Sequence, residues 1–513
     1  MRSEEGSVKN SIGRAAFVFF AVLSQVIWIL VLVLRLNRYS TVISLVTTVL
    51  TLVVVLWLYN TKMPMGFKLP WIMLILAFPV LGLALYVLLG RSDITRGMRL
   101  RIEKIDKKLE CWLKQDESIL DYLRTKDRSA ANQMNYISKY AKYPVYANTD
   151  VKFYKDAADG FEEQLTELQK AEKFIFIEYH AIEDAISFGR MKRVLAEKVK
   201  QGVDVRVLYD DVGSIGFIDS VFVKRMEALG IKCRVFNPLV PVLNMIMNNR
   251  DHRKLTVIDG KVGFTGGYNL ADKYFNLENP YGHWKDTGVK LTGDAVRSLT
   301  VTFLELWAAM SKVEMEDVTS FFPENTYKVS EKCLVQPYAD SPLDDELVGE
   351  NVYMNIVKMA KNYVYFTTPY LIISDELQRE LTMAVKRGVD VRIITPGIPD
   401  KKAVFEVTRS NYGRLVNAGV RIYEYTPGFI HAKECICDDK LAVIGTINLD
   451  YRSLYLHFEN GVLLYGCKVI KDMKVDYFDT LAKSAEVSED YKKMPPARIA
   501  IKRSILRLFA PLL

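Results

Sequence analysis

His252-Arg-Lys254-Leu-Thr-Val-Ile-Asp259, followed by Gly266-Gly267-Tyr-Asn269, has a near copy later in the chain: His431-Ala-Lys433-Glu-Cys-Ile-Cys-Asp438, followed by Gly445-Thr446-Ile-Asn448. Both read H-x-K-x4-D and then G-[GT]-x-N. The histidines lie 179 residues apart, so the pattern is an internal repeat, not a local coincidence. Each copy offers one imidazole, one ammonium and one side-chain amide. Together they give two histidines and four donors for phosphate oxygens, a set suited to moving a phosphodiester by double displacement.

The flanks repeat as well. Phe174–Tyr179 is a short apolar strand, a helical pattern runs to Gly202, Val203–Tyr209 is the next strand, and Gly230 opens Ile231–Phe236. In the second half Tyr363–Thr367, Gly388, Val389–Ile394, Gly419 and Val420–Tyr425 follow the same plan, with equivalent glycines 186 and 189 residues apart. Strands alternating with helices predict α/β layers around a mixed or largely parallel sheet.

The duplicated H-x-K-x4-D motif resembles the signature of the phospholipase D superfamily. Within it the chain is similar to the bacterial cardiolipin synthases, through Ile177-Glu-Tyr179, Leu208-Tyr-Asp-Asp-Val-Gly-Ser214, His283-Trp-Lys-Asp-Thr287, Thr368-Pro-Tyr370, Tyr423-Glu-Tyr-Thr-Pro-Gly428 and Asn448-Leu-Asp-Tyr-Arg-Ser453. The resemblance covers most of the chain beyond the first ~60 residues. It implies two phospholipase D-like α/β domains, 136–325 and 326–490, related by a pseudo-two-fold with one active site between them. It also implies transfer of a phosphatidyl group from one phosphatidylglycerol to another, giving cardiolipin and glycerol through a phosphohistidine, with no metal or other cofactor. Phosphatidylglycerol, cardiolipin and the bilayer are the expected partners, and no nucleic acid. The alternatives are a phospholipase D hydrolase, another phosphatidyltransferase such as a serine-using one, and a membrane-tethered nuclease.

A phosphodiester anion repels nucleophiles, so catalysis needs charge neutralisation, a nucleophile and a proton donor for the leaving alkoxide. Lys254 and Lys433 are expected to neutralise the non-bridging oxygens, with Asn269 and Asn448 donating hydrogen bonds to them. The neighbouring glycines are read as admitting the backbone close to the phosphate. By the family's usual division His252 is the nucleophile and His431 the acid/base; the motifs themselves do not separate the two roles. Asp286 and Glu459 match the family's histidine-orienting acids. Asp259 and Asp438, part of the signature, are assigned a structural role at the strand end. His180 and His457 depart from the family pattern and are read as packing or supporting residues. Thr446 stands where serine is commoner and keeps the hydroxyl.

Residues 15–34, 39–61 and 69–90 are uncharged and apolar, each long enough to span a bilayer. They predict a membrane anchor over 1–90 and a place in the bacterial cell membrane. Seven basic residues from Arg91 to Lys108 put the catalytic halves on the cytoplasmic side. Residues 91–135 read as a juxtamembrane helical linker, and 491–513 as an amphipathic tail with Arg498/Lys502 and Arg503/Arg507 at i,i+4. Residues 236–248, with two methionines, form an apolar approach to the first motif. Net charge is +8, compatible with nucleic acid or an anionic membrane surface. The six cysteines show neither zinc-type nor C-x-x-C spacing and read as reduced packing residues.

Overall fold

A computed structural model of the chain describes residues 41–89, 96–239, 249–311, 313–324, 327–344, 346–493 and 496–508, with scattered positions from 16 to 31. Part of the first expected span, most of the apolar approach 236–248 and the last five residues lie outside the described residues.

The repeat seen in the motifs extends to the whole sheet. The first half orders its strands Thr149–Tyr154, Gly288–Gly293, Val262–Gly266, Lys254–Ile258, Phe174–Tyr179, Asp204–Asp210, Lys232–Phe236. The second half orders Leu334–Asp340, His457–Tyr465, Leu441–Gly445, Glu434–Cys437, Tyr363–Thr367, Asp390–Pro396, Arg421–Tyr425 in the same sequence and adds Ser484–Glu486 at the edge. Only the last three shared strands of each set run parallel; the remaining pairings are antiparallel. The sheets are therefore mixed, not largely parallel. The reason is local: each H-x-K-x4-D stretch is one arm of a β-hairpin, and a hairpin is antiparallel by construction.

Asp259 and Asp438 sit at the tips of these hairpins, at φ 52° and 51°, a left-handed conformation that Asp and Asn tolerate better than most residues. Five residues at about 3.3 Å each put them roughly 16 Å from Lys254 and Lys433. The Asp259 carboxylate accepts the backbone N–H groups of Glu172, Lys173 and Phe174, all at 2.8 Å. Asp438 takes those of Lys361, Asn362 and Tyr363 at 2.7–2.9 Å. Each Asp thus ties its hairpin tip to the start of the neighbouring strand.

Residues 96–136 are more than a linker. Helix Arg96–Leu109 buries Ile102, Ile105 and Leu109 in a core continuous with both halves, and Trp112 stacks on Phe322 at 4.2 Å. Helices Glu117–Lys126 and Arg128–Tyr136 place Leu120, Leu123 and Met134 in the core of the second half. All six cysteines are free, five of them buried.

At the N-terminal end, helix Thr41–Asn60 occupies the second expected span, with side chains described from Leu45 onward. The third expected span is not one helix. Met65–Ala77 and Pro79–Leu89 fold back on each other, bringing Trp71 within 5.4 Å of Tyr86 and burying Leu58, Ile75 and Leu83 with it. The bend falls at Phe78-Pro79, because proline cannot supply an N–H to continue the first helix. Gly82 is needed just past it: a Cβ there would meet the Ile75 backbone at 2.5 Å. At ~1.5 Å per residue the arms reach about 20 and 16 Å, short of the ~30 Å hydrocarbon core. Among the described residues, no helix is long and apolar enough to cross a membrane.

Candidate active site

Both histidines are fixed by the opposite half. Strand Arg250–Asp251 runs parallel beside His457–Phe458, and Gly428–Ile430 beside His283–Lys285. At the ends of these short pairings the His252 N–H donates to the Phe458 carbonyl at 2.8 Å, and the His431 N–H to the Lys285 carbonyl at 2.7 Å. The next residue on each partner strand is an acid. Glu459 takes His252 Nδ1 on both oxygens, at 2.8 and 3.0 Å, and Asp286 takes His431 Nδ1 at 2.7 Å. The acids expected to orient the histidines are in contact with them, and the contacts cross between halves. With Nδ1–H donated to Glu459, the His252 ring keeps its Nε2 lone pair for chemistry; the His431 Nδ1 lies 2.7 Å from the Lys433 ammonium as well as from Asp286.

The rings open into a cavity of about 470 Å³ also lined by Asn269 and Asn448. Lys254 and Lys433 lie beneath, each 1% exposed, and donate to the carbonyls of His252 (2.7 Å) and His431. Asn269 is bonded on both sides, its Nδ2 to the Tyr274 hydroxyl at 2.8 Å and its Oδ1 from the Ala181 N–H at 3.1 Å. The Oδ1 of Asn448 is buried without a hydrogen-bond partner among the described residues. The motif glycines make room for the acids and the neighbouring strand. A Cβ at Gly267 would lie 2.0 Å from Asp286 Oδ1, and those at Gly266 and Gly445 would meet the Thr287 and Asn460 carbonyls at 2.5 and 2.4 Å. Where the first half has Gly267 the second has Thr446, whose hydroxyl bonds to Glu459.

Burial sets the charge states. It drives His252 well below the ordinary histidine range and His431 to about 3, helped in each case by the adjacent lysine. Both rest as neutral imidazoles. Burial also brings Lys254 down to about 8 and Lys433 to about 7. The two acids part company. Burial pushes Glu459 well above the carboxylate range, with Lys254 and Thr446 pulling the other way. Burial acts on Asp286 too, but His431 and Lys433 outweigh it and hold Asp286 below that range.

Several residues here carried no motif. His180 and His457, read as supporting residues, line the cavity with their rings 4.9 and 5.4 Å from that of His252. The His180 Nδ1 is 2.7 Å from the Asp251 carbonyl, and Arg452 Nε reaches His457 at 3.3 Å. Around His431 the wall is aromatic: Tyr274 and Trp284 at 5.3 Å, Phe429 at 5.9 Å. Arg250, Lys273 and Lys401 add positive charge, and Tyr370 is pinned to Asp400 at 2.7 Å. Trp284, Tyr370 and Arg452 stand in flanks already quoted; Arg250 and His180 are marked by position alone, just before a motif histidine and just after a strand end. Among the described residues, two sets of possible metal donors each lie within 4.8 Å of one another, His252/His457/Glu459 and Glu331/Cys333/Cys467. The first already uses its donors in the histidine–carboxylate pair.

Comparison with known proteins agrees with this geometry. Residues 165–307 and 353–481 match the family described as cardiolipin synthase, PLD-like domain, and 48–91 match the phospholipase D-nuclease N-terminal family. The chain is 41% identical to an uncharacterized protein of Streptococcus mutans serotype c, over 90% of this chain and 99% of that one. It is 32% identical to a cardiolipin synthase of Geobacillus sp. (86% and 88% covered) and to one of Staphylococcus aureus (86% and 90%). Its fold is similar to that of the phosphatidylserine synthase of Haemophilus influenzae Rd KW20, with a TM-score of 0.58 at 15% identity, covering 76% of this chain and 100% of that one. With the duplicated domain matched over more than half its length and both motif halves joined at one cavity, the chain belongs to the cardiolipin synthase family of phospholipase D-like enzymes.

Proposed function

We propose that the chain transfers a phosphatidyl group from one phosphatidylglycerol to the glycerol hydroxyl of a second, releasing glycerol and forming cardiolipin. The observation that carries this reading is the crossed pair of histidine–carboxylate contacts around a single cavity. His252 Nε2 attacks phosphorus and the bond to the departing glycerol oxygen breaks, leaving a phosphohistidine. His431, neutral in the empty site, takes up a proton on Nε2 from solvent as the phosphodiester anion enters beside it; it gives that proton to the departing oxygen, then takes one from the incoming hydroxyl, whose oxygen displaces His252. The division follows from the acids. An ionised Asp286 stabilises an imidazolium at His431, whereas Glu459, pushed toward its neutral form, favours a neutral nucleophile at His252. Lys254, Lys433, Asn269 and Asn448 take the charge of the non-bridging oxygens, the work that two metal ions do in other phosphoryl-transfer sites. Activity is expected to survive EDTA. The exposed apolar faces of Thr41–Asn60, the helical hairpin and the C-terminal helix Ala497–Leu508 support a seat at the membrane.

The test uses the purified chain in phosphatidylglycerol vesicles. Cardiolipin and glycerol should form in near-equal amounts with little phosphatidic acid. Phosphatidic acid as the main product would make the enzyme a hydrolase. For the roles, a p-nitrophenyl phosphodiester supplies a leaving group that needs no acid. His431→Ala should then release one equivalent of nitrophenol in a burst and hold the adduct on His252, and His252→Ala should give none. The opposite pattern would reverse the assignment.

A further inference from the structure

Three cavities lie in a row across the second half. The catalytic cavity shares Ile372 and Tyr451 with a cavity of about 310 Å³ that the helical hairpin and the C-terminal helix help to wall. That one shares Arg414, Ser504 and Arg507 with a cavity of about 830 Å³ between helices Lys402–Asn417 and Ala497–Leu508.

The chemistry changes along the row. The outer cavity is cationic. Arg503 and Arg507 are four residues apart and so share one face of the C-terminal helix. Arg503 rests 5.4 Å from the ring of Tyr491, and its Nε is buried with no hydrogen-bond partner among the described residues. Arg414 and Arg507 both turn to one exposed carboxylate, Asp375, at 3.2 and 3.6 Å. Arg409 is spoken for by a two-point pair with Glu424 at 2.7 and 2.9 Å. Asp490 and Lys493 also line this cavity, so its positive groups outnumber its acids, and a planar guanidinium is suited to a phosphate. The middle cavity has an apolar wall, Leu69 and Pro70 of the hairpin against Ile373 and Leu508, with Asp375, Arg414 and Arg507 at the side it shares with the outer cavity. At its inner end Tyr451 packs edge-on against Phe67 at 5.5 Å, where Gly66 leaves it room: a Cβ there would fall 2.4 Å from the Tyr451 hydroxyl. A cationic pocket opening into an apolar one, beside exposed apolar helices, matches an anionic phospholipid in both its parts.

We propose that these two outer cavities form a second, non-catalytic site for one anionic glycerophospholipid. Arg414, Arg503 and Arg507 take its phosphate, and its acyl chains lie along Leu69, Pro70 and Ile373. The bound lipid fastens the C-terminal helix and the hairpin together beside Tyr451, at the edge of the catalytic cavity. This deepens the reading given above, since the lipid is of the substrate's class, but its test requires no turnover.

The full-length His252→Ala enzyme is placed in phosphatidylcholine vesicles containing a trace of phosphatidylserine that carries a photoreactive group on its acyl chain. Cross-links are expected in residues 65–70 and 504–508. R503Q/R507Q in the same background should lower them at least fivefold, and R503K/R507K should restore about half. Circular dichroism of each variant shows whether the helices persist. Excess unlabelled phosphatidylserine should compete; millimolar inorganic phosphate should not. Equal competition by inorganic phosphate would mean the pocket takes the free anion, and cross-links untouched by R503Q/R507Q would mean the arginines hold no headgroup. Either result overturns the proposal. Neither bears on phosphatidyl transfer, which is read separately with the unaltered enzyme.

Discussion

The two halves share a strand order, a motif and a mode of holding their histidine, yet the histidines live in different surroundings. His252 lies between two further imidazoles, His180 and His457, and faces a glutamate that burial drives toward its neutral form. His431 lies against Tyr274, Trp284 and Phe429 and faces an aspartate that stays ionised. Duplication supplied two equal frames; substitutions around them made the frames unequal. A double displacement needs that inequality, because one histidine must stay neutral to attack while the other must carry and return a proton.

The coarsest way to break the comparison is to remove either ring. His252→Ala and His431→Ala should each lower the steady-state rate on phosphatidylglycerol by at least about 10³-fold, since members of one catalytic unit are not additive. A variant retaining a tenth of the activity would mean that the halves do not share one site. The acids give a finer cut. Asp286→Asn should cost roughly 10²–10⁴-fold, because it removes the charge that stabilises the protonated ring and upsets its tautomer. Glu459→Gln should cost less, about 10–10²-fold, because burial already weakens that charge. Equal losses, or the reverse order, would remove the electrostatic basis for assigning the roles.

Much of this was legible in the chain. The repeat, both histidines and the strand–helix alternation are local patterns. Gly202 and Gly388, read as ends of helices, and Gly230 and Gly419, read as opening the next strands, all take positive φ, which glycine adopts without strain. What the sequence hid was what meets what. Asp286 contacts His431 across 145 residues and Glu459 contacts His252 across 207; nothing in spacing dictates that the acids cross over. The motif glycines pointed to a phosphate, yet they make room for Asp286 and for strand backbone. The apolar run 69–90 was long enough to span a bilayer, and hydropathy does not distinguish one helix of that length from two short ones folded at Phe78-Pro79. His180 reads as a packing or supporting residue because it departs from the family pattern, but its place just after strand Phe174–Tyr179 brings it to the cavity.

The lysines sharpen the comparison through pH. Below about 7 both ammonium groups are charged; Lys433 loses its proton first and Lys254 near 8. kcat/KM reports the free enzyme, so it should fall about tenfold per pH unit above 7 and more steeply past 8. Lys433→Met should lower the plateau and remove the earlier break. Stability should move the other way. Between these folded values and the ~10.4 of an unfolded lysine, the unfolded chain binds more protons, so the two lysines contribute stability that rises with pH. A profile flat from pH 6 to 9 would show that the lysines stay charged despite their burial.

The smallest effect on rate is expected at the hairpin tips, where the halves are alike in bonding and differ in exposure. Asp259 is buried and Asp438 half-buried, and each carboxylate accepts three backbone N–H groups. Asparagine tolerates the left-handed backbone at both positions, so replacing either residue tests the bonds and not the turn. The amide keeps one acceptor and turns an NH₂ toward N–H groups that lose their partner. Losing a charge-assisted bond of this kind costs about 1–3 kcal/mol where the group is buried and less where water can replace it. Asp259→Asn should therefore lower the denaturation midpoint more than Asp438→Asn. Both should keep kcat within about threefold of the unaltered enzyme, because the tips stand roughly 16 Å from the lysines. A hundredfold loss of kcat at unchanged stability would place these carboxylates in the chemistry and undo the reading of the hairpin as a lever fixed at one end and reactive at the other.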